Sequence, residues 1–329
     1  MEKQTVTQNR PNDKAARGTG KEHDFGKYDF VKLAPLMGGI SLLLTIVSIF
    51  LIFFKGMNYG IDFAGGTEMQ VRFDQAIEAS ALREAVEKTG IENPAVQGFG
   101  GGNEFLIRLE TPKAPTEKET NEKITAEVAK IKETLKSQFG LKDEGVLRVD
   151  TVGPAVGSEL KRNGFLAAFY CFLVILIYVS LRFDYTFAPG AVICLVHDAV
   201  LTLGLFSLLN REFNVQIMAA ILTLIGYSLN DTIVTFDRIR ETLPKNRDMT
   251  LKFIINKAIN DMLGRTILTA ATTMVAVVAL YFFGGGVISE IAFTLIVGII
   301  VGVYSSIYVA APLILVMEKI SPTNKTAAA

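Results

Sequence analysis

Four sets of polar residues interrupt long apolar blocks, and their types and positions allow chemistry. Asp231 follows Asn230 inside the apolar block 215–236, in the run Gly226-Tyr227-Ser228-Leu229-Asn230-Asp231-Thr232. At ~1.5 Å per residue it stands about 8 Å from the end of its block, too deep for a helix-end charge. An ionised Asp at the centre of a membrane helix costs about 2.5–3.5 kcal/mol, and its presence there points to a carboxylate that binds and releases a proton. The alternative is a buried Asp that only bonds a neighbouring helix. Arg265 opens the block 266–283. If the two blocks reach one membrane face together, Asp231 and Arg265 come within pairing distance, and protonating the carboxyl would free the guanidinium. The other reading of Arg265 is an anchor at the interface.

His197 and Asp198 sit near the middle of the block 187–209. Adjacent helical residues point about 100° apart, so they need not face one partner. Asp198 reads as a second relay carboxylate and His197 as a group titrating near neutrality. The competing reading is a polar contact that fixes helix packing. Thr269, Thr272 and Thr273 follow Arg265 and could hold a water wire, although helical Thr usually bonds back to its own backbone. Gly298 and Gly302 form a G-x-x-x-G face that permits close helix approach.

The elements that position these residues are legible as hydropathy blocks. The chain has 329 residues, half of them hydrophobic, and its charges are gathered apart from its apolar runs. Blocks 33–54, 164–181, 187–209, 215–236, 266–283 and 288–316 are each long enough for a membrane helix, giving six expected spans. The polar tail 1–31 precedes the first block, with no small-residue cleavage site after it, so that block reads as a retained span rather than a signal peptide. The stretch up to residue 24 is too polar to bury a core and reads as disordered. Lys21, Lys27, Lys32, the run of Lys and Arg from Arg238 to Arg265, Lys319 and Lys325 all fall on one side. Both termini, the loop 237–265 and the tail 318–329 are therefore expected in the cytoplasm, and the segment 55–162 outside. Zero formal net charge gives no pull toward nucleic acid. Cys171 and Cys194 lie in apolar blocks as packing residues, and no metal-ligand spacing is present.

The segment 55–162 reads as a small α+β domain inserted between spans one and two. Strand 68–73 alternates apolar and polar residues. A helix over 80–89 is expected with Ser80 as its cap and Gly90 as its stop. Strands 95–99 and 105–109 flank the turn 100–103. Ile124, Val128, Ile131, Leu135 and Phe139 make one apolar face of a helix over 117–139, ended by Gly140, before a last strand at 146–152. The order βαββαβ is the ferredoxin-like pattern. The domain carries no His, no Cys and no nucleophile–base pairing, so binding or scaffolding is expected there and not enzymatic catalysis.

Three runs carry a resemblance. Asn58-Tyr59-Gly60-Ile61-Asp62-Phe63-Ala64-Gly65-Gly66-Thr67 resembles the first signature of the bacterial SecD/SecF family, and Val152-Gly153-Pro154-Ala155-Val156-Gly157-Ser158-Glu159-Leu160 is similar to its second. The run from Gly226 to Val234, continuing to Asp237-Arg238-Ile239-Arg240-Glu241, and Arg265-Thr266 before a Thr-rich span, resemble the SecF branch. The resemblance implies a multi-pass protein of the bacterial inner membrane, in the resistance-nodulation-division superfamily. It implies a partnership with SecD, the SecYEG channel and YajC, and use of the proton motive force to promote translocation and release of preproteins. It implies no cofactor. Proton movement is implied for Asp231 and Arg265, with Asp198, His197, Asn230 and Thr269 as companions. A hinge is implied at Asp62, Gly65 and Gly66, beside Gly153 and Gly157. The alternative within this reading is a non-conducting scaffold for SecD and the channel. A full small-molecule exporter of the superfamily would carry two six-span halves.

Overall fold

Among the residues that the computed structural model describes, six helices are long and apolar enough to cross a membrane. The structure describes residues 26–91, 94–99, 103–112, 117–183, 187–246 and 248–320. The tail up to residue 24, most of the turn 100–103, Arg247 and Lys325 lie outside them.

Helix α1 (Phe30–Phe50) is capped by Asp29, whose side chain accepts from the Lys32 amide, and runs on as a π-helical turn over Leu51–Lys55. After α1 come β1 (Asn58–Tyr59) and the short α2 (Ile61–Ala64). The inserted domain then runs β2 (Gly66–Arg72), α3 (Ala79–Glu87), β3 (Ala95–Gly98), β4 (Glu104–Leu109), α4 (Glu117–Phe139) and β5 (Val146–Val152). Its sheet has the order β3-β4-β2-β5, with every neighbour pair antiparallel. Because strand side chains alternate, Met69, Val71, Phe105, Ile107 and Leu109 share one face and are buried with Leu82 and Val86 of α3 and Ile131 and Leu135 of α4. The opposite face carries Glu68, Gln70, Arg72, Glu104 and Arg108, with Arg72 and Glu104 hydrogen-bonded at 2.8 Å.

Ser80 is not the cap of α3. Helical geometry begins at Ala79, Glu78 occupies the cap position without a side-chain bond, and Ser80 falls inside the first turn. Gly90 and Gly140 do follow their helices in left-handed conformations, with φ of 87° and 66°.

Pro154 opens α5 (Pro154–Arg182), where its missing N–H costs nothing. After it come α6 (Ala188–Leu208), β6 (Glu212–Phe213), α7 (Val215–Lys245), α8 (Leu251–Phe283), α9 (Gly286–Ser305), a π-helical turn at Ser306–Ala310 and α10 (Ala311–Ile320). The segment 237–265, expected as a loop, is mostly helix: α7 and α8 extend well past their apolar blocks and meet at a short connection. The extensions hold each other through Arg238, which bonds Asp261 at 2.6 Å and Glu241 at 3.1 Å. Charged residues with such partners extend a helix as readily as apolar ones do.

The most apolar windows of α6 and α7 are 56% and 44% buried, against 11% for α1, α5 and α8. Helices α6 and α7 therefore form the centre of the bundle, and Asp198, Thr202, Ser228 and Thr232 are buried between helices. Gly298 and Gly302 of α9 lie directly on Leu224 and Ser228 of α7; a Cβ on Gly302 would stand 3.2 Å from Ser228 Cβ. That close approach is the packing a small-residue face permits. Asn256 and Asn260 of α8 bind the start of α1, with Asn256 Oδ1 accepting from the Phe30 amide at 2.8 Å and Asn260 donating to the Tyr28 carbonyl at 2.7 Å. Strands β1 and β6 pair in parallel, Asn58 with Glu212 and Tyr59 with Phe213, which ties the root of the inserted domain to the α6–α7 turn.

Candidate functional site

Asp198 is fully buried in α6. Its Oδ1 lies 2.9 Å from His197 Nδ1, and its Oδ2 accepts from Ser228 of α7 at 2.5 Å and Ser305 of α9 at 2.9 Å. The other ring nitrogen of His197, Nε2, lies 2.6 Å from Ser41 Oγ of α1. Cys194 donates to Ser305 Oγ at 3.2 Å, so it is a polar packing partner rather than a purely apolar one. His197 and Asp198 thus join one hydrogen-bonded cluster that spans four helices, which answers the desolvation cost of burying a carboxyl.

Asp231 forms a second centre one turn along α7 from Ser228. Its Oδ1 accepts from Thr266 of α8 at 2.7 Å, and its Oδ2 from Ser306 at 2.7 Å, at the π-helical turn after α9. Ser306 Oγ is also 3.0 Å from the Val303 carbonyl, and Ser305 Oγ is 3.1 Å from the Gly302 carbonyl. Each serine proton therefore has two acceptors within reach: its aspartate, or a carbonyl of its own helix. A protonated aspartate can donate back to the serine once the serine proton turns to the helix carbonyl. Asn230, Thr266, Thr269 and Gly302 line a cavity beside Asp231 with about 30 Å³ available to water centres. That is room for a water or two.

The expected pairing of Asp231 with Arg265 is not present. Arg265 is exposed on α8 and makes no ion pair among the described residues, while its neighbour Thr266 takes the inward position. Adjacent helical residues cannot both point at one partner, and the inward side of α8 falls on Thr266. Thr269 bonds the carbonyls of Arg265 and Thr266, and Thr272 and Thr273 likewise bond their own helix. Asn230 is exposed.

At the root of the inserted domain, the first signature meets the second. Gly65 and Gly66 adopt φ of 74° and 128°. A Cβ on Gly65 would stand 3.1 Å from Pro154 Cα, and one on Gly157 would stand 3.0 Å from Gly65 N. Only glycine tolerates both that conformation and that approach. Gly153 has open space around it and ordinary φ, so it is merely the residue before α5. Asp62 Oδ2 accepts from the Val215 amide at 3.1 Å, placing a carboxylate on the positive end of α7. The signature is thereby bonded to the helix that carries Asp231.

Residue-by-residue reading missed Ser41, Ser228, Thr266, Ser305 and Ser306. Isolated hydroxyls in apolar blocks carry no distinctive signal. The available clues were that Ser228 and Thr266 stand inside the runs that carry the resemblance, and that Ser305 and Ser306 lie just beyond the G-x-x-x-G pair.

Two family models match the chain: "Protein export membrane protein SecD/SecF, C-terminal" over residues 130–320, and "SecD/SecF GG Motif" over residues 50–77. The chain is 45% identical to the protein translocase subunit SecF of Calditerrivibrio nitroreducens, covering 89% of this chain and 94% of that one. It is 38% identical to that of Escherichia coli O157:H7, covering 88% and 87%. The crystal structure of SecDF from Thermus thermophilus, described as a translocon-associated membrane protein, superposes with a TM-score of 0.79 at 36% identity over 89% of this chain. The chain spans 39% of that solved protein's length. SecDF in a super-membrane-facing form superposes with a TM-score of 0.65 at 35% identity, over the same 89% and 39%.

Proposed function

The chain belongs to the SecD/SecF family of protein export membrane proteins, and we propose that with a SecD partner it uses the proton motive force to promote preprotein translocation and release through the Sec machinery. The observation that carries this reading is the pair of hydroxyl donors on Asp231. A carboxylate inside a span, held by Thr266 and Ser306 and by no cation among the described residues, can exchange a proton without breaking a buried ion pair. When Asp231 takes a proton, its hydrogen bond to Ser306 reverses and the serine turns to Val303. The π-helical turn holding Ser306 is a weak point in the helix ladder, suited to a small shift of register. Movement there travels along α7 to its first amide, which Asp62 holds, and so to the inserted domain. Thr269 lines the cavity beside Asp231, and Arg265 stands one turn before Thr269 on the exposed side of α8. Asp198 and His197 extend the relay toward α1.

The same reading sets the chain in the bacterial inner membrane with both termini cytoplasmic. The Lys and Arg residues at the α7–α8 end support that side. The inserted domain, 55–162, then lies outside and acts on the translocating preprotein. Its strand order, with both helices on one face, supports the ferredoxin-like description. SecYEG and YajC are the further partners. Asp231→Asn, reconstituted with SecD and the channel, is expected to abolish gradient-dependent stimulation of export while the complex still assembles. Stimulation that survives in Asp231→Asn sinks the relay and leaves the non-conducting scaffold.

A further inference from the structure

The sheet of the inserted domain reaches the α6–α7 turn through a guanidinium, beside the β1–β6 pairing at its root. Arg108 of β4 stands in a cross-strand row with Ala95, Glu68 and Asp150, on the sheet face its helices leave uncovered. It is ion-paired with Glu212 of β6 and lies 3.7 Å from Glu68 of β2. Its Nη1 also donates to Asn58 Oδ1 at 3.2 Å and to the Tyr59 carbonyl at 3.1 Å. A single cation on the domain therefore holds both strands that root it in the membrane bundle.

The charges around it do not balance. The side chains of Glu68, Arg108 and Glu212 are only 18%, 16% and 12% exposed. Asp62 of α2 is engaged by the Val215 amide, and Asp150 of β5 is ion-paired with Arg148. On the other packed elements, Lys161 of α5 stands over the Tyr59 ring and Arg211 bonds Glu290 of α9 at 2.6 Å. One guanidinium is left for Glu68 and Glu212, the charge of Asp62 (held only by a neutral amide) adds to the excess, and Glu68 Oε2 meets no hydrogen-bond donor among the described residues. Burial, and next the charge of Glu68, push the Glu212 carboxyl up to about 7 against the pull of Arg108. Burial raises Glu68 as well. Two carboxylates sharing one site keep a proton between them.

We propose that Glu68, Arg108 and Glu212 form a proton-binding site, separate from the intramembrane aspartates, whose proton keeps the inserted domain docked on the α6–α7 turn. With the proton in place the trio is neutral. Without it a buried negative charge is unmatched, and the repulsion acts across the joint, because Glu68 rides on the domain and Glu212 on the bundle. Glu212 binds its proton more tightly docked than free. Docking is therefore strongest below the usual carboxylate value of 4.5 and weakens as pH rises toward about 7.

Amide hydrogen exchange on the full chain in lipid nanodiscs, corrected for the intrinsic rate at each pH, tests this. Protection of the Asn58–Tyr59 and Glu212–Phe213 amides should fall across that interval, by up to about tenfold per pH unit for one proton. Glu212→Gln and Glu68→Gln should each flatten the dependence and keep protection high, while amides in the middle of α6 and α7 stay unchanged and report an intact bundle. Asp231→Asn should leave the dependence in place. Protection that is flat with pH in the unmodified chain, or equally pH-dependent in both Gln variants, overturns the proposal.

Discussion

Ser305 and Ser306 are consecutive, yet their hydroxyls serve different aspartates: Ser305 bonds Asp198 of α6 at 2.9 Å and Ser306 bonds Asp231 of α7 at 2.7 Å. Neighbouring helical residues point about 100° apart, so the two reach partners on two helices, at the point where α9 gives way to a π-helical turn. The two carboxyl centres therefore share one piece of backbone, and a shift at either moves the other's partner.

Removing one donor from Asp231 should weaken the relay without removing the acid. A hydrogen bond to a charged group contributes about 1.5–3 kcal/mol. Ser306→Ala should lower gradient-driven stimulation of export by roughly tenfold or more, and Ser306→Thr, which keeps a hydroxyl, should restore most of it. Transport into vesicles under an imposed proton gradient reads both.

Helix approach at Gly302 sets both centres. Gly302→Val would press on Ser228 and separate α7 from α9, with a cost of about 1–3 kcal/mol. Gly264→Ala has nothing within 4 Å to meet and should be neutral or slightly stabilising. Thermal unfolding of the two variants in one detergent should separate them, with Gly302→Val melting lower.

The signature glycines should differ in the same way. Gly66→Ala would put a methyl in a left-handed conformation against the Leu109 carbonyl, costing about 1–3 kcal/mol. Gly153→Ala should be tolerated. Proteolysis of the inserted domain in the membrane-embedded chain should rise for Gly66→Ala and not for Gly153→Ala.

Asp62 should act as a remote cap for α7. Asp62→Ala leaves the Val215 amide without its acceptor, with an expected loss of about 0.5–2 kcal/mol, while Asp62→Asn keeps an acceptor oxygen and should lose less. Faster exchange of the Val215 amide in Asp62→Ala, relative to Asp62→Asn, is the expected reading.

The sequence makes legible the six spans, the place of the inserted domain, the apolar face of α4 and the Gly65-Gly66 turn. Each of these is set by neighbours along the chain: hydropathy over a span, a period of two or 3.6, a φ that only glycine accepts. It also singled out Asp231, Asp198 and His197, because a titratable group in an apolar run is conspicuous wherever its partners lie. Who those partners are follows from how the helices pack. Thr266 rather than Arg265 meets Asp231, and Ser41, Ser228, Ser305 and Ser306 complete the two centres. Those contacts depend on the rotation and register of α1, α6, α7, α8 and α9 against one another, which close packing at residues such as Gly302 fixes. A hydroxyl in a span looks the same in the sequence whether it faces lipid, its own backbone or a carboxylate two helices away.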